Sequence, residues 1–184
     1  MRIIGGNNKK MRITPPPNLP VRPTTDFARE GLFSILQNSW DFDGMCILDL
    51  FAGTGSVSFE FASRGVAHIT MIDQANACVR FIRNTIPRFP NTEIHVYERN
   101  VFTYLDDCRR TFDIIFADPP YELSQISTIP DLIFEKKLLA AGGWLILEHS
   151  AKYSFRDHPH FFNHRNYGSV NFSFFELPED NKNE

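Results

Sequence analysis

The sequence predicts an α/β fold: a mostly parallel sheet with helices on both faces, closed by an antiparallel C-terminal hairpin. Three observations predict it. Near-continuous apolar runs such as Met45–Phe51 and Phe112–Ala117 lack the alternation of half-exposed strands and suit strands buried on both faces. Helix-forming segments separate these runs, which is how parallel strands are connected. After Ser150 the pattern changes to alternating, Phe-rich segments, His160–Tyr167 and Ser169–Leu177, joined through Tyr167-Gly168.

Taken in order, residues 1–24 are basic and proline-rich, with Pro15-Pro16-Pro17, Pro20 and Pro23. They suit either a short hairpin of Arg2–Ile4 against Met11–Thr14 or a mobile arm. Asp26 can cap a helix from Phe27 to Asn38, with Phe27, Leu32, Phe33, Ile35 and Leu36 on its apolar side. Met45–Phe51 is the first strand and Ser56–Ser63 the helix after it. His68–Ile72 is the second strand, and Gln74–Thr85 a helix with Val79 and Ile82 inward. Glu93–Tyr97 is the third strand, Thr103–Asp107 a helical turn and Phe112–Ala117 the fourth strand. Ile129–Leu139 reads as a helix broken by Gly142-Gly143, and Trp144–Glu148 as the fifth strand. One domain spans residues 25–177, ahead of a polar tail at 178–184.

The chain has 184 residues, 42% hydrophobic and 22% charged, which fits neither wholesale disorder nor a fibrous repeat. Phenylalanine supplies 18 of the 25 aromatic residues, most of them suited to the core. No run approaches the ~18 apolar residues of a membrane span, and Met1–Gly6 lacks the apolar stretch of a secretion signal. Cys46, Cys78 and Cys108 form no CxxC, so neither a disulfide framework nor a zinc site is expected and a reducing cytoplasm is the expected home. His158, His160 and His164 lack the helical spacing of a metal motif, and no metal is expected.

The chemistry-bearing residues sit at predicted strand ends. Asp49-Leu50-Phe51-Ala52-Gly53-Thr54-Gly55 ends one strand and opens a helix, with two glycines that let a ligand approach the backbone. Asp73 ends the next strand, where a carboxylate can accept both hydroxyls of a ribose. Together they predict a nucleoside-containing ligand. Ser58 stands where a dinucleotide fingerprint wants its third glycine, and Asp49 faces the loop that a pyrophosphate would fill. An acid there suits an ammonium or sulfonium. S-adenosyl-L-methionine (SAM) carries both and no phosphate, so SAM is favoured over a nicotinamide dinucleotide.

The fourth strand runs into Asp118-Pro119-Pro120-Tyr121. Two prolines stiffen the backbone and remove two N–H donors, leaving an acceptor-only ledge with an aromatic ring beyond it. An exocyclic base amine matches that ledge: its two N–H groups donate to Asp118 and the Pro119 carbonyl while the base stacks on Tyr121. The nitrogen lone pair then points at the methyl of SAM, so catalysis is mostly orientation and electrostatics.

Asp118–Tyr121 resembles the [DN]PP[YF] motif of amino-methyltransferases acting on bases. Arg2-Ile3-Ile4-Gly5-Gly6, Arg22-Pro23-Thr24-Thr25-Asp26 with Glu30, Leu32 and Phe33, Asp49–Gly55, Ser63-Arg64-Gly65 and Glu148-His149-Ser150 resemble the bacterial 16S ribosomal RNA guanine-N2 methyltransferase family. The resemblance runs from residue 2 to about 176. It implies a Rossmann-like class I methyltransferase fold with a seven-stranded sheet, SAM as methyl donor (S-adenosyl-L-homocysteine as product), and a guanine amine of small-subunit rRNA as acceptor. It places Asp49, Gly53 and Gly55 on the methionine side, Asp73 at the ribose and Asp118–Tyr121 at the target base. The basic N-terminal loop is thinner than the family's, Asn7-Asn8-Lys9-Lys10, and Arg99-Asn100-Val101 replaces a Gly-Asp-Ala near the adenine. Asn100 can bond an adenine amine through its carbonyl oxygen.

The candidate cofactor contacts are therefore Arg22, Thr24, Thr25, Asp49, Phe51, Ala52, Gly53, Thr54, Gly55, Asp73, Gln74, Asn100, Val101 and Asp118. Arg22, Thr24 and Thr25 suit closure over SAM or a phosphate, or, for Thr25, a plain N-cap. The catalytic set is Asp118, Pro119, Pro120 and Tyr121. Arg2, Lys9, Lys10 and Arg12 suit RNA-backbone contacts or a solvated face, and His149 a structural or RNA-contacting role. A DNA amino-methyltransferase acting on adenine or cytosine is the alternative enzyme, but some 35 residues after Ser150 leave little room for a target-recognition region. A SAM-binding ribosome-assembly factor without chemistry is the non-enzymatic alternative. A monomer acting on 16S rRNA within an assembled or assembling small subunit, with no membrane partner, is expected. The charge distribution agrees: residues 1–29 carry +5 and the remainder −8, a segregation hidden in a net charge of −3.

Overall fold

The computed structural model describes residues 1–17, 19 and 25–178. Seven strands, β1 (Cys46–Leu50), β2 (His68–Asp73), β3 (Glu93–Glu98), β4 (Phe112–Ala117), β5 (Leu139–His149), β6 (Phe161–Tyr167) and β7 (Val170–Glu176), form one sheet in the order β3-β2-β1-β4-β5-β7-β6. The pairs among β1–β5 are parallel, and β7 pairs antiparallel with both β5 and β6. The order reverses between β1 and β4, and a ligand of such a sheet binds at that crevice, beyond the strands' carboxyl ends.

Helices cover both faces. On one face α1 (Asp26–Ser39), α2 (Ser56–Ser63) and α3 (Asn76–Thr85) contribute Leu32, Phe33, Phe59, Phe61 and Ile82 to a core with Ile47, Met71, Phe116 and Phe174. On the other, α4 (Val101–Asp107) and α5 (Ile129–Glu135) pack Leu105, Ile129 and Ile133 against Leu48, Leu50, Ile115 and Leu147. All eight residues of α2 are buried. Thr25, not Asp26, caps α1, its side-chain oxygen accepting from Ala28 N at 3.2 Å.

The stretch after α5 departs from expectation. The helix ends at Glu135, where Lys137 turns left-handed (φ 54°) and Leu138 N–H reaches back to Ile133 O at 3.1 Å. This C-terminal motif frees Leu139 to pair with Phe112. Gly142-Gly143 is therefore a bulge inside β5, not a helix breaker. A Cβ on Gly143 would lie 2.8 Å from Ala140 O, so only glycine lets the strand fold on itself there.

The N-terminal segment is a docked hairpin. Ile3 N–H bonds Met11 O and Lys10 N–H bonds Ile3 O, both at 2.9 Å, and Ile3 and Ile13 are buried in the core. The buried carboxylate of Glu60 on α2 accepts from Ile4 N and Gly5 N at 2.8 Å each. It also accepts from Arg64 Nε at 2.9 Å, and Arg64 lies over the Phe33 ring. Ser63 adds bonds to Asn7 N, Asn8 N and Gly5 O. Of the two readings of this segment, the structure shows the docked hairpin. Arg22, Thr24 and the tail from Glu179 lie outside the described residues.

Removing Glu60 strands a buried guanidinium and two backbone N–H groups. Glu60→Ala is expected to cost about 3–5 kcal/mol in denaturant unfolding. It should also speed amide exchange at Ile4 and Gly5; unchanged exchange there would show that other contacts hold the hairpin.

Candidate active site

The register of the parallel strands sets the site. Asp49 lies level with Met71 on β2 and Phe116 on β4, and Ala117 lies level with Leu147 on β5. Side chains alternate between faces, so Asp49, Asp73, Asp118 and Glu148 all project from the α1–α3 face at the carboxyl ends of β1, β2, β4 and β5. The ladder continues past β4, with Asp118 N–H reaching Leu50 O at 3.4 Å.

Between β1 and α2 the chain turns through three left-handed residues, Phe51 (φ 66°), Gly53 (56°) and Gly55 (72°). Ala52 N–H bonds Ile72 O at 2.9 Å, and Gly55 N–H closes on Ala52 O at 2.7 Å. A Cβ on Gly55 would meet the Phe59 ring at 2.7 Å and Met71 Cε at 2.9 Å, so this turn needs glycine for space as well as for φ. Thr54 is buried, its hydroxyl 3.9 Å from Met1 Sδ, so the first residue of the hairpin touches the loop.

Asp49 is 2% exposed. Its Oδ2 accepts from Ser58 Oγ at 2.5 Å, which gives the residue in place of a third glycine a role. Its Oδ1 is buried with no partner among the described residues. Burial raises its pKa to about 7; the Ser58 bond opposes this and the charge of Asp73 adds to it. An orphaned buried acceptor at a glycine turn fits the ammonium of SAM and would repel a phosphate.

Asp73 differs from its expected role. Its Oδ2 accepts from Gly53 N at 2.7 Å and its Oδ1 from Ala75 N at 2.8 Å, so the carboxylate first of all braces the glycine loop. Each oxygen keeps a second lone pair for a ribose hydroxyl. Burial raises its pKa, against those two N–H bonds. Asn100 is a correction: its carbonyl oxygen caps α4, accepting from Phe102 N at 2.9 Å and Thr103 N at 3.3 Å, so it is not held open for an adenine amine. Its amide reaches Gln74 Oε1 at 3.4 Å, and the two exposed polar side chains rim the cleft beside β3. Val101 is buried in the core under α4.

At the other wall Asp118 is half-buried. Its pKa is pushed well above the usual carboxylate range by desolvation first, then by the charges of Glu148 and Asp49. The Pro120 carbonyl is held in a turn by Leu123 N–H at 2.8 Å. Tyr121 hydrogen-bonds Glu148, and burial together with the charges of Glu148 and Asp118 moves its phenol up to about 12, so it stays a donor. Glu148, 4% exposed, is the site residue that composition and motif reading missed. Its signal was present: it ends the strand beside Asp118.

His149 is a second correction. It points to the opposite face from Glu148, 1% exposed. Its Nδ1–H donates to Ser150 O at 2.9 Å, which leaves Nε2 to accept from Ser173 Oγ at 2.8 Å. Burial lowers its pKa. It is structural and not placed to contact RNA. Arg2, Lys9, Lys10 and Arg12 are exposed on the hairpin, where a polyanion could reach them. Among the described residues no group of three or more His, Cys, Asp or Glu is arranged to hold a metal ion, and no helix is long and apolar enough to cross a membrane.

Comparison with known proteins agrees with this geometry. Residues 1–176 match the family described as Conserved hypothetical protein 95. Ribosomal RNA small subunit methyltransferase D of Buchnera aphidicola subsp. Acyrthosiphon pisum is 30% identical over 154 residues, 83% of this chain and 79% of the relative. The Escherichia coli K12 protein of the same name is 29% identical over 148 residues, 80% of this chain and 74% of the relative. A hypothetical protein of Thermus thermophilus superposes with a TM-score of 0.83 at 25% identity, covering 96% of this chain and 99% of that one. The fold also matches, at TM-score 0.65 and 19% identity, a T. thermophilus 16S rRNA N2 methyltransferase solved with AdoMet and guanosine, over 83% of this chain and 43% of that one. With residues 1–176 matched, nearly its whole length, the chain belongs to the Conserved hypothetical protein 95 family, that of the small-subunit rRNA methyltransferase D proteins, and is a SAM-dependent methyltransferase of Rossmann-like fold.

Proposed function

We propose that the protein methylates the exocyclic N2 amine of a guanine in 16S rRNA, presented within an assembled or assembling small subunit. One observation carries the reading: the acceptor ledge at Asp118 stands on the same sheet face, one strand over, as the cofactor acid Asp49. The names of the relatives support small-subunit rRNA as the substrate class.

SAM, when bound, supplies a methyl group on a sulfonium and leaves as a neutral thioether once the amine nitrogen has taken the methyl. Asp49 receives the cofactor's ammonium, and the Gly53–Gly55 turn admits its methionine end. Asp118 and the Pro119 carbonyl accept the two N–H groups of the target amine, drawing its lone pair out of conjugation and toward the methyl. Tyr121 supplies the stacking face. Asp118 accepts through a carboxyl oxygen in either protonation state, and as a carboxylate it is at hand to take the proton that the alkylated nitrogen sheds, as is water. The exposed basic residues of the hairpin attract the backbone of an RNA whose target base is turned out of its stack.

The test is incubation with labelled SAM and, separately, deproteinised rRNA, small subunits and duplex DNA. Label is expected at guanine N2 in the rRNA of small-subunit particles. Label in DNA alone would overturn the reading, and SAM binding with no label anywhere would favour an assembly factor. Asp118→Ala should reduce transfer at least ~100-fold while SAM binding persists; retained turnover would refute the ledge.

A second measurement follows from Asp49. Its free-site pKa is raised to about 7, and a cationic ligand binds the ionised form. SAM affinity should therefore weaken as the pH falls below 7, approaching tenfold per pH unit. Titrations between pH 5.5 and 7.5, where the cofactor's own ammonium stays mostly charged, should show this for the wild type and a flat profile for Asp49→Asn. A flat wild-type profile would place the ammonium elsewhere.

A further inference from the structure

The DPPY ledge accounts for an amine but does not by itself distinguish guanine from another base that carries one. Glu148 has so far entered only as the partner of the Tyr121 hydroxyl and as a charge beside Asp118. It lies level with Asp118 on the neighbouring strand and on the same face, and its carboxylate takes the Tyr121 hydroxyl. The ring proposed to stack on the base is thus tied to an acidic side chain one strand from the group proposed to hold the amine.

Resting on the function proposed above, we infer that Glu148 is the specificity-determining residue of the base site, its carboxylate accepting the N1–H of the target guanine beside the amine held at Asp118. A guanine edge offers adjacent donors, N1–H and the N2 amine. Adenine N1 and cytosine N3, the ring nitrogens beside their amines, offer lone pairs instead. Two carboxyl groups side by side match the first pattern, and a carboxylate against a ring lone pair opposes the second. A carboxylate has about four acceptor positions on two oxygens, enough to serve the Tyr121 hydroxyl, a further partner and a base N–H together. The charge of Glu148 is also one of the causes that raise Asp118, as two neighbouring acids in one pocket require.

The test uses the full chain and small-subunit particles reassembled with rRNA in which the guanine that the wild type labels is replaced, by splinted ligation, with 2-aminopurine. That base keeps the amine at C2 and lacks N1–H. The wild type should prefer guanine by at least ~100-fold in kcat/KM, because a site built to bond an N–H rejects the analogue without it. Glu148→Gln, whose amide can donate to the analogue's N1, should cut that preference at least tenfold with SAM affinity unchanged. Tyr121→Phe separates positioning from contact: it severs the Tyr121–Glu148 bond but should keep the preference. Equal use of both bases by the wild type overturns the inference, as does an undiminished preference in Glu148→Gln. Loss of preference in Tyr121→Phe equal to that in Glu148→Gln would show that Glu148 acts only through the ring. Wild-type label on any atom other than a guanine N2 would instead defeat the functional reading itself, and this inference with it.

Discussion

Four carboxylates on one face of a sheet are forced together by strand register, and much of the site's construction answers that crowding. Asp49, Asp73, Asp118 and Glu148 stand at the carboxyl ends of four neighbouring strands, and in a parallel sheet a slip of one residue in any pairing would send one of them to the other face. Buried like charges this near raise one another's pKa unless hydrogen-bond donors or cations intervene. The protein supplies Ser58 to Asp49, the N–H groups of Gly53 and Ala75 to Asp73, and the Tyr121 hydroxyl to Glu148. Asp49 keeps one oxygen without a partner among the described residues, and the Asp118 pKa is raised by burial and by the charges of Glu148 and Asp49. Under the proposed function, a cation at Asp49 and amine N–H groups at Asp118 would complete what the fold leaves short, and the same charge would disfavour a phosphate-bearing cofactor.

The same reasoning explains why α2 is buried along its whole length. Ser58 and Glu60, two residues apart, point to nearly opposite sides of a helix. One serves the cofactor acid and the other anchors the backbone of the N-terminal hairpin. A helix buried all round, with Phe59 and Phe61 between and beyond those two polar residues, works as a wedge between hairpin and sheet. The basic surface is therefore fixed relative to the cofactor loop, and Met1 beside Thr54 closes the connection.

What the sequence made legible were features set by local chemistry. Apolar runs located β1, β2 and β4, and two glycines located the left-handed turn after β1. Partnerships set by register or by competing donors stayed hidden. Nothing in Asn100 announces that its carbonyl caps α4, nor in Asp73 that backbone N–H groups already hold both its oxygens. His149 and Glu148 are neighbours in sequence, yet alternation sends them to opposite faces, and which face holds the site depends on the crossovers. Gly142-Gly143 resembled a helix stop because the left-handed turn that ends α5 falls on Lys137, a residue with no bias toward it.

The segregated charge has a mechanical meaning under the proposed function. Exposed cations on the hairpin draw in a polyanion, whereas the carboxylate cluster repels its phosphates. Both conditions are met only if the backbone runs along the hairpin side and a single base, neutral and rich in donors along one edge, enters the cleft. A stacked base in a duplex cannot reach it without bringing phosphates along; a base turned out on a folded RNA can. With few cations available to release counterions, affinity has to come from the fit of a folded substrate. The acidity that makes the site a poor home for phosphate thus also makes the protein dependent on the shape of what it binds.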